Sequence, residues 1–142
     1  MTFKDDVKML LFGRIPPSKR FFILTQLPTL NEYTNASRAN KYGSAAIKKN
    51  VERSLQWEIK MQLGNWHTDR PVFLVFEWYE KNQRRDKDNV AFAKKFIQDA
   101  LVKAGVLQGD GWKHVTGFID LFEIDKDRPR VEVSIMEVQT DG

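Results

Sequence analysis

The run Val72 to Tyr79, VFLVFEWY, constrains this chain more than any other segment. It is apolar at nearly every position until Glu77, and it is bounded by Pro71 and by the polar stretch 80–87, EKNQRRDK. A strand with one wet face alternates apolar and polar residues. A short, continuously apolar run fits a central strand covered on both faces. The rest of the chain must therefore supply layers that pack on it.

Two helices are expected to do so. From about Ser37 to Leu63 the pattern is helical, and Ile47, Val51, Leu55, Ile59 and Leu63 recur every four residues as one apolar stripe. Gly64 and Asn65 suit its end. The second helix is expected from about Asn89 to Ala104, with Phe92, Phe96, Ile97, Ala100, Leu101 and Ala104 on its buried side and Gly105 as the stop. Phe21 to Thr25 reads as a first strand, stopped at Pro28, and Leu27 to Tyr33 (LPTLNEY) as a loop. His114 to Ile124 and Pro129 to Val138 read as two more strands, joined as a hairpin through Asp125 to Arg128. In the last strand Val131, Val133 and Ile135 are expected inward, Glu132 and Ser134 outward. Residues 1–19, which end in Pro16-Pro17, read as a flexible amino-terminal arm, and 20–142 as one domain. The order β-α-β-α-β-β describes an α+β domain, a mixed sheet packed by two main helices.

Composition narrows the function. With 142 residues, 42% hydrophobic and 12% aromatic, the chain can build the core of one domain, which excludes a disordered chain. The absence of Cys excludes a disulfide scaffold and any thiolate zinc or iron–sulfur site. His67 and His114 are the only histidines, so carboxylates must hold most of any bound metal. No apolar run approaches the roughly 18 residues of a membrane span, and the first twenty residues do not read as a signal peptide. The expectation is a soluble intracellular domain with no membrane partner. A net charge of +4 permits an acidic partner without demanding one.

The segment richest in chemistry is Arg84-Arg85-Asp86-Lys87-Asp88-Asn89, between the central strand and the second helix. Asp86 and Asp88 are two apart, which in an extended segment turns both carboxylates to one side. A hard cation such as Mg²⁺ needs oxygens that converge in this way. The same residues also suit a simpler role, with Asp88 or Asn89 as the helix N-cap. Asp110 lies in the turn Leu107 to Trp112 (LQGDGW) after the helix. Asp99 reads as structural, pairing with Lys95 or Lys103 at four-residue spacing. Lys95 follows Asp88 by seven residues, two helical turns, where it would neutralise charge on a leaving phosphate oxygen. Lys94 competes for that role. On the first helix Lys48, Lys49, Arg53 and Lys60 fall largely off the apolar stripe, with Glu52 and Glu58 against them; Arg38 and Lys41 precede it. Arg84, Arg85, Lys87, Lys48, Lys49 and Arg53 by themselves read as a basic, solvated surrounding of these acids; they become candidate contacts to DNA phosphates only through the resemblance that these motifs carry.

Taken in order, Arg85-Asp86-Lys87-Asp88-Asn89, Lys95, Asp99-Ala100-Leu101 and Gly105 to Asp110 resemble the RusA family of Holliday junction resolvases. Leu27 to Tyr33 and the basic helix after it resemble the amino-terminal half of phage-type members. The resemblance runs from about residue 20 to the end. It implies a small homodimer that binds four-way DNA junctions and makes paired, metal-dependent nicks. The implied metal ligands are Asp86, Asp88 and Asp110, the implied active-site lysine is Lys95, and the implied cofactor is Mg²⁺, with Mn²⁺ as the alternative. It also implies a bacterial cytoplasm and a phage or prophage origin. The chain departs from the family pattern twice. Phe92 stands where the family places its lysine, and Gly109-Asp110 replaces a pair of aspartates. Two other readings use the same residues: a nuclease of flap DNA or RNA, and a non-catalytic branched-DNA-binding module whose acidic site has decayed.

Overall fold

In a computed structural model, which describes residues 2–14, 16–40 and 42–139, the chain forms four strands and five helices. In chain order these are α1 (Phe3–Phe12), β1 (Lys19–Ile23), α2 (Leu30–Ala39), α3 (Gly43–Leu63), β2 (Val72–Glu80), α4 (Lys87–Ala91), α5 (Lys94–Lys103), β3 (Val115–Ile124) and β4 (Arg130–Glu137). The strands make one mixed sheet in the order β1-β4-β2-β3. The α+β architecture is as expected, and Lys41 lies outside the described residues.

The apolar run becomes β2 and takes an interior place, parallel to β3 and antiparallel to β4. Its even-numbered residues Val72, Leu74, Phe76 and Trp78 join Val51, Leu55 and Ile59 of α3 and Phe96, Ile97 and Leu101 of α5 in the main core. The stripe of α3 is buried at Val51, Leu55, Ile59 and Leu63, as its four-residue spacing predicts.

The expected hairpin between the last two strands does not form, because β2 lies between β3 and β4. The most apolar strand gains most from two neighbours and two covered faces. β3 is left at the edge, with Phe118 and Ile124 exposed. The connection need only step across one strand, about 10 Å, which a short loop can span. The two expected helices are also divided. Leu30 to Ala39 forms α2, starting inside the expected loop with Thr29 Oγ1 accepting from the Glu32 N–H at 3.2 Å. The second expected helix breaks at Phe92 and Ala93 into α4 and α5.

The arm region contains α1, which covers the other face of the sheet. Val7, Leu11 and Phe12 pack against Val75, Leu121 and Met136. Thr2 and Asp5 close a capping box at its start. Under α1, Glu77 is fully buried, with Lys8 Nζ at 3.0 Å and Arg20 at 3.7 Å. Lys4, one turn from Lys8, donates to Tyr79 at 2.9 Å and pairs with Glu123. Burial lowers the affinity of the Lys4 ammonium for its proton, but the bonds to Glu123 and Tyr79 outweigh burial and leave its pKa above the ordinary value. Cover by α1 also explains Ser134, expected outward and fully buried in the structure.

Candidate active site

An open depression lies along α5, lined by Ala91, Phe92, Lys94, Lys95 and Gln98. Three carboxylates reach it from three directions: Asp88 from α4, Asp110 from the turn after α5, and Asp120 from β3.

Asp88 sits in the first turn of α4, and its Oδ1 accepts from the Asn89 N–H at 2.9 Å. Asn89 turns its own Oδ1 to the Asn31 N–H at 2.9 Å, so it satisfies a donor at the start of α2. Arg85 adds a second tie to α2 through Glu32 at 2.9 Å. The N-cap position of α4 falls to Asp86, rather than to Asp88 or Asn89, and the Asp86 carboxylate makes no capping bond. Asp86 is exposed and is not among the residues lining the depression.

Asp110 is returned to α5 by the way that helix ends. Gly105 takes φ +82°, a left-handed conformation that costs glycine little. Val106 N–H then bonds Leu101 C=O at 3.0 Å and Gly105 N–H bonds Val102 C=O at 3.0 Å, the two bonds of a Schellman stop. The turn that follows is tight at Gly109, where a Cβ would stand 2.6 Å from His114 Cδ2. A side chain at 109, such as the second aspartate of the family pattern, would need His114 or the turn to move. Asp110 thus comes to lie near enough to Asp99 for the two carboxyls to influence each other. Burial, opposed by Lys95 and reinforced by the neighbouring Asp110 carboxyl, holds the Asp99 carboxyl above its ordinary pKa. Asp99 pairs with Lys95 at 3.9 Å, as expected from spacing, but also belongs to the acidic surroundings of the site.

Asp120 was not among the residues the sequence singled out. It pairs with Lys94 and accepts from the Trp78 indole N–H at 2.9 Å. Lys94 Nζ also lies 4.0 Å from the centre of the Phe118 ring. Sequence spacing shows only that Asp120 shares a face of β3 with Phe118 and Phe122; that this face meets the helices follows from its register with Phe76 of β2. Lys95 and Asp88 are no longer on one continuous helix, yet both line the depression. The Lys95 side chain is 71% exposed, against 16% for Lys94, so Lys95 is the lysine open to a ligand.

Among the described residues, no three His, Asp or Glu side chains converge closely enough to hold a metal ion. Asp88 and Asp110 nevertheless offer hard oxygen donors to one space. Mg²⁺ is commonly held by one or two carboxylates, with substrate phosphate and water filling its remaining positions. The donor chemistry therefore fits such an ion, with the ligand set incomplete from protein alone.

Of the basic residues, Arg84, Lys87, Lys49 and Arg53 are exposed, and Arg85 is half-buried against Glu32. Lys48 of α3, also exposed, is near enough to Asp99 to act on its charge. No helix among the described residues is long and apolar enough to cross a membrane. In comparisons with known proteins, no family model and no curated protein matches this sequence.

Proposed function

We propose that the chain is a metal-dependent, structure-selective endodeoxyribonuclease that cuts four-way DNA junctions, as its resemblance to the RusA-type resolvases implies. One observation supports this above the others. Asp88 and Asp110, separated by the whole of α5, line a single open depression together with Lys94 and Lys95. Phosphodiester cleavage needs a nucleophilic water, relief of charge on the phosphoryl oxygens and a stabilised leaving oxygen. A divalent cation held by carboxylates supplies the first two. Asp88 and Asp110 would hold it, with Asp86 two residues away at the start of α4. Lys95 approaches the phosphate, while Lys94 stays with Asp120 and fixes that carboxylate against the sheet. Two copies in a two-fold dimer would match the symmetry of a junction and place one site on each of two strands.

The second reading, a DNA-binding module without catalysis, is favoured by one fact: no three carboxylates converge among the described residues. Calorimetric titration with Mn²⁺ in the presence of junction DNA separates the two. The nuclease reading expects a saturable metal signal that Asp88→Asn and Asp110→Asn each abolish. DNA binding with no metal signal in the unaltered protein would establish the module.

A further inference from the structure

The outer side of α3 carries a second feature that the depression does not use. At about 100° per residue, Lys49, Arg53, Trp57 and Lys60 fall within roughly 80° of arc, opposite the buried stripe. All four are exposed, and Trp57 is 64% exposed. Met61, one turn on, is 67% exposed. An indole left in water amid cations is not explained by the core, which Val51, Leu55, Ile59 and Leu63 already serve.

The acids of the same helix make the feature sharper. Sequence alone sets Glu52 and Glu58 against the lysines, but the structure removes both from the outer side. Glu52 is 8% exposed and pairs with Lys103 at 2.6 Å. Glu58 accepts from the Leu24 N–H and the Thr25 hydroxyl, each at 2.8 Å, where the chain leaves β1. The outer side of α3 is therefore cationic without internal compensation.

We infer that this side of α3 is a nucleic-acid surface on which Trp57 stacks against an unpaired or splayed base while Lys49, Arg53 and Lys60 hold the adjoining phosphates. Charge complementarity selects a polyanion, and an exposed indole between cations is suited to a base face. From Lys49 to Lys60 the helix rises roughly 16 Å, which spans about five base steps of duplex. The surface would thus hold an arm of branched DNA along α3, with Trp57 engaging the strand where pairing is lost. This inference rests on the DNA reading above and adds to it a second, non-catalytic contact.

The test is equilibrium binding of the full chain to a labelled four-way junction and to a duplex of equal length, in EDTA so that cleavage does not enter. Trp57→Ala is expected to weaken junction binding about 5- to 150-fold, with less than about a twofold change for duplex. Trp57→Phe should restore most of the loss. Changing Lys49, Arg53 and Lys60 together to Gln should flatten the logarithmic salt slope by about 2.7. All these side chains are exposed, so the melting curves of the variants should overlay that of the unaltered protein. If that protein binds the junction and the variants match it in affinity and slope, the α3 surface is refuted and the DNA reading stands. If the unaltered protein binds no DNA, both fall. Loss by Trp57→Ala of binding to phosphatidylserine vesicles, with DNA affinity intact, would refute the inference in favour of a membrane surface.

Discussion

Replacing Gly109 by alanine places a methyl group 2.6 Å from His114 Cδ2, far inside van der Waals contact. The backbone itself does not forbid the change. Among the described glycines only Gly64 and Gly105 have positive φ, so alanine at 109 meets a steric obstacle and no conformational one. Both Gly109 and His114 are half-buried, so the clash, met by shifting the His114 ring, costs at most the about 1–3 kcal/mol of overpacking a core. Restricting the unfolded chain returns about 0.4–1 kcal/mol. The net expectation for Gly109→Ala is a loss of up to about 2.5 kcal/mol. In a His114→Ala background the obstacle is gone, and the same change should be neutral or stabilising by up to about 1 kcal/mol. Urea denaturation of the four proteins of this cycle, followed by circular dichroism, measures the coupling directly. A coupling of about 1–3 kcal/mol is expected. Equal effects of Gly109→Ala in both backgrounds would refute the close approach of His114, and with it the turn geometry that returns Asp110 to α5.

Other outcomes follow from the two faces of the sheet and from the acidic end of the depression. Lys8→Ala leaves the buried Glu77 carboxylate with the Tyr79 hydroxyl at 3.3 Å and Arg20 at 3.7 Å but no cation in close contact. Urea denaturation should show a loss of about 3 kcal/mol, and a loss under about 1 kcal/mol would mean that α1 does not lie over Glu77 as described. Asp99→Asn tests the raised carboxyl pKa. Because folding raises it, the contribution of Asp99 to stability is complete below its ordinary value of 3.8 and is lost as pH rises through the folded value. Asn should therefore stabilise the fold at neutral pH relative to Asp, with the advantage shrinking toward pH 3. A pH-independent difference in melting temperature would contradict the raised carboxyl pKa, and with it the burial that is its main cause.

The strands were the most legible part of the fold. β2, β3 and β4 differ from their expected bounds by one or two residues, because alternation and flanking prolines mark strand ends locally. Sheet order was not legible. A short connection between Ile124 and Arg130 favours a hairpin on local grounds, and only competition for the central position puts β2 between the two strands. The start of α2 was legible in principle, since Thr29-Leu30-Asn31-Glu32 has the threonine-to-glutamate spacing of a helix start. The site was half legible. Asp88 and Asp110 were singled out for chemistry, and the structure brings them to one depression; Asp86 lies outside it. Asp120 was hidden because its importance depends on which face of β3 meets α5, a fact of packing and not of spacing. The cationic side of α3 was visible, but its acids could be discounted only once Glu52 was seen to turn to Lys103 and Glu58 to the end of β1.

Cleavage of a synthetic four-way DNA junction, with and without Mg²⁺, tests the central claim most directly when Asp88→Asn and Asp110→Asn are run beside the unaltered protein. The account predicts paired, symmetric nicks that require the metal and that each substitution reduces by at least about a hundredfold, with junction binding retained. Cleavage that survives both substitutions, or junction binding with no cleavage at any metal concentration, would contradict it.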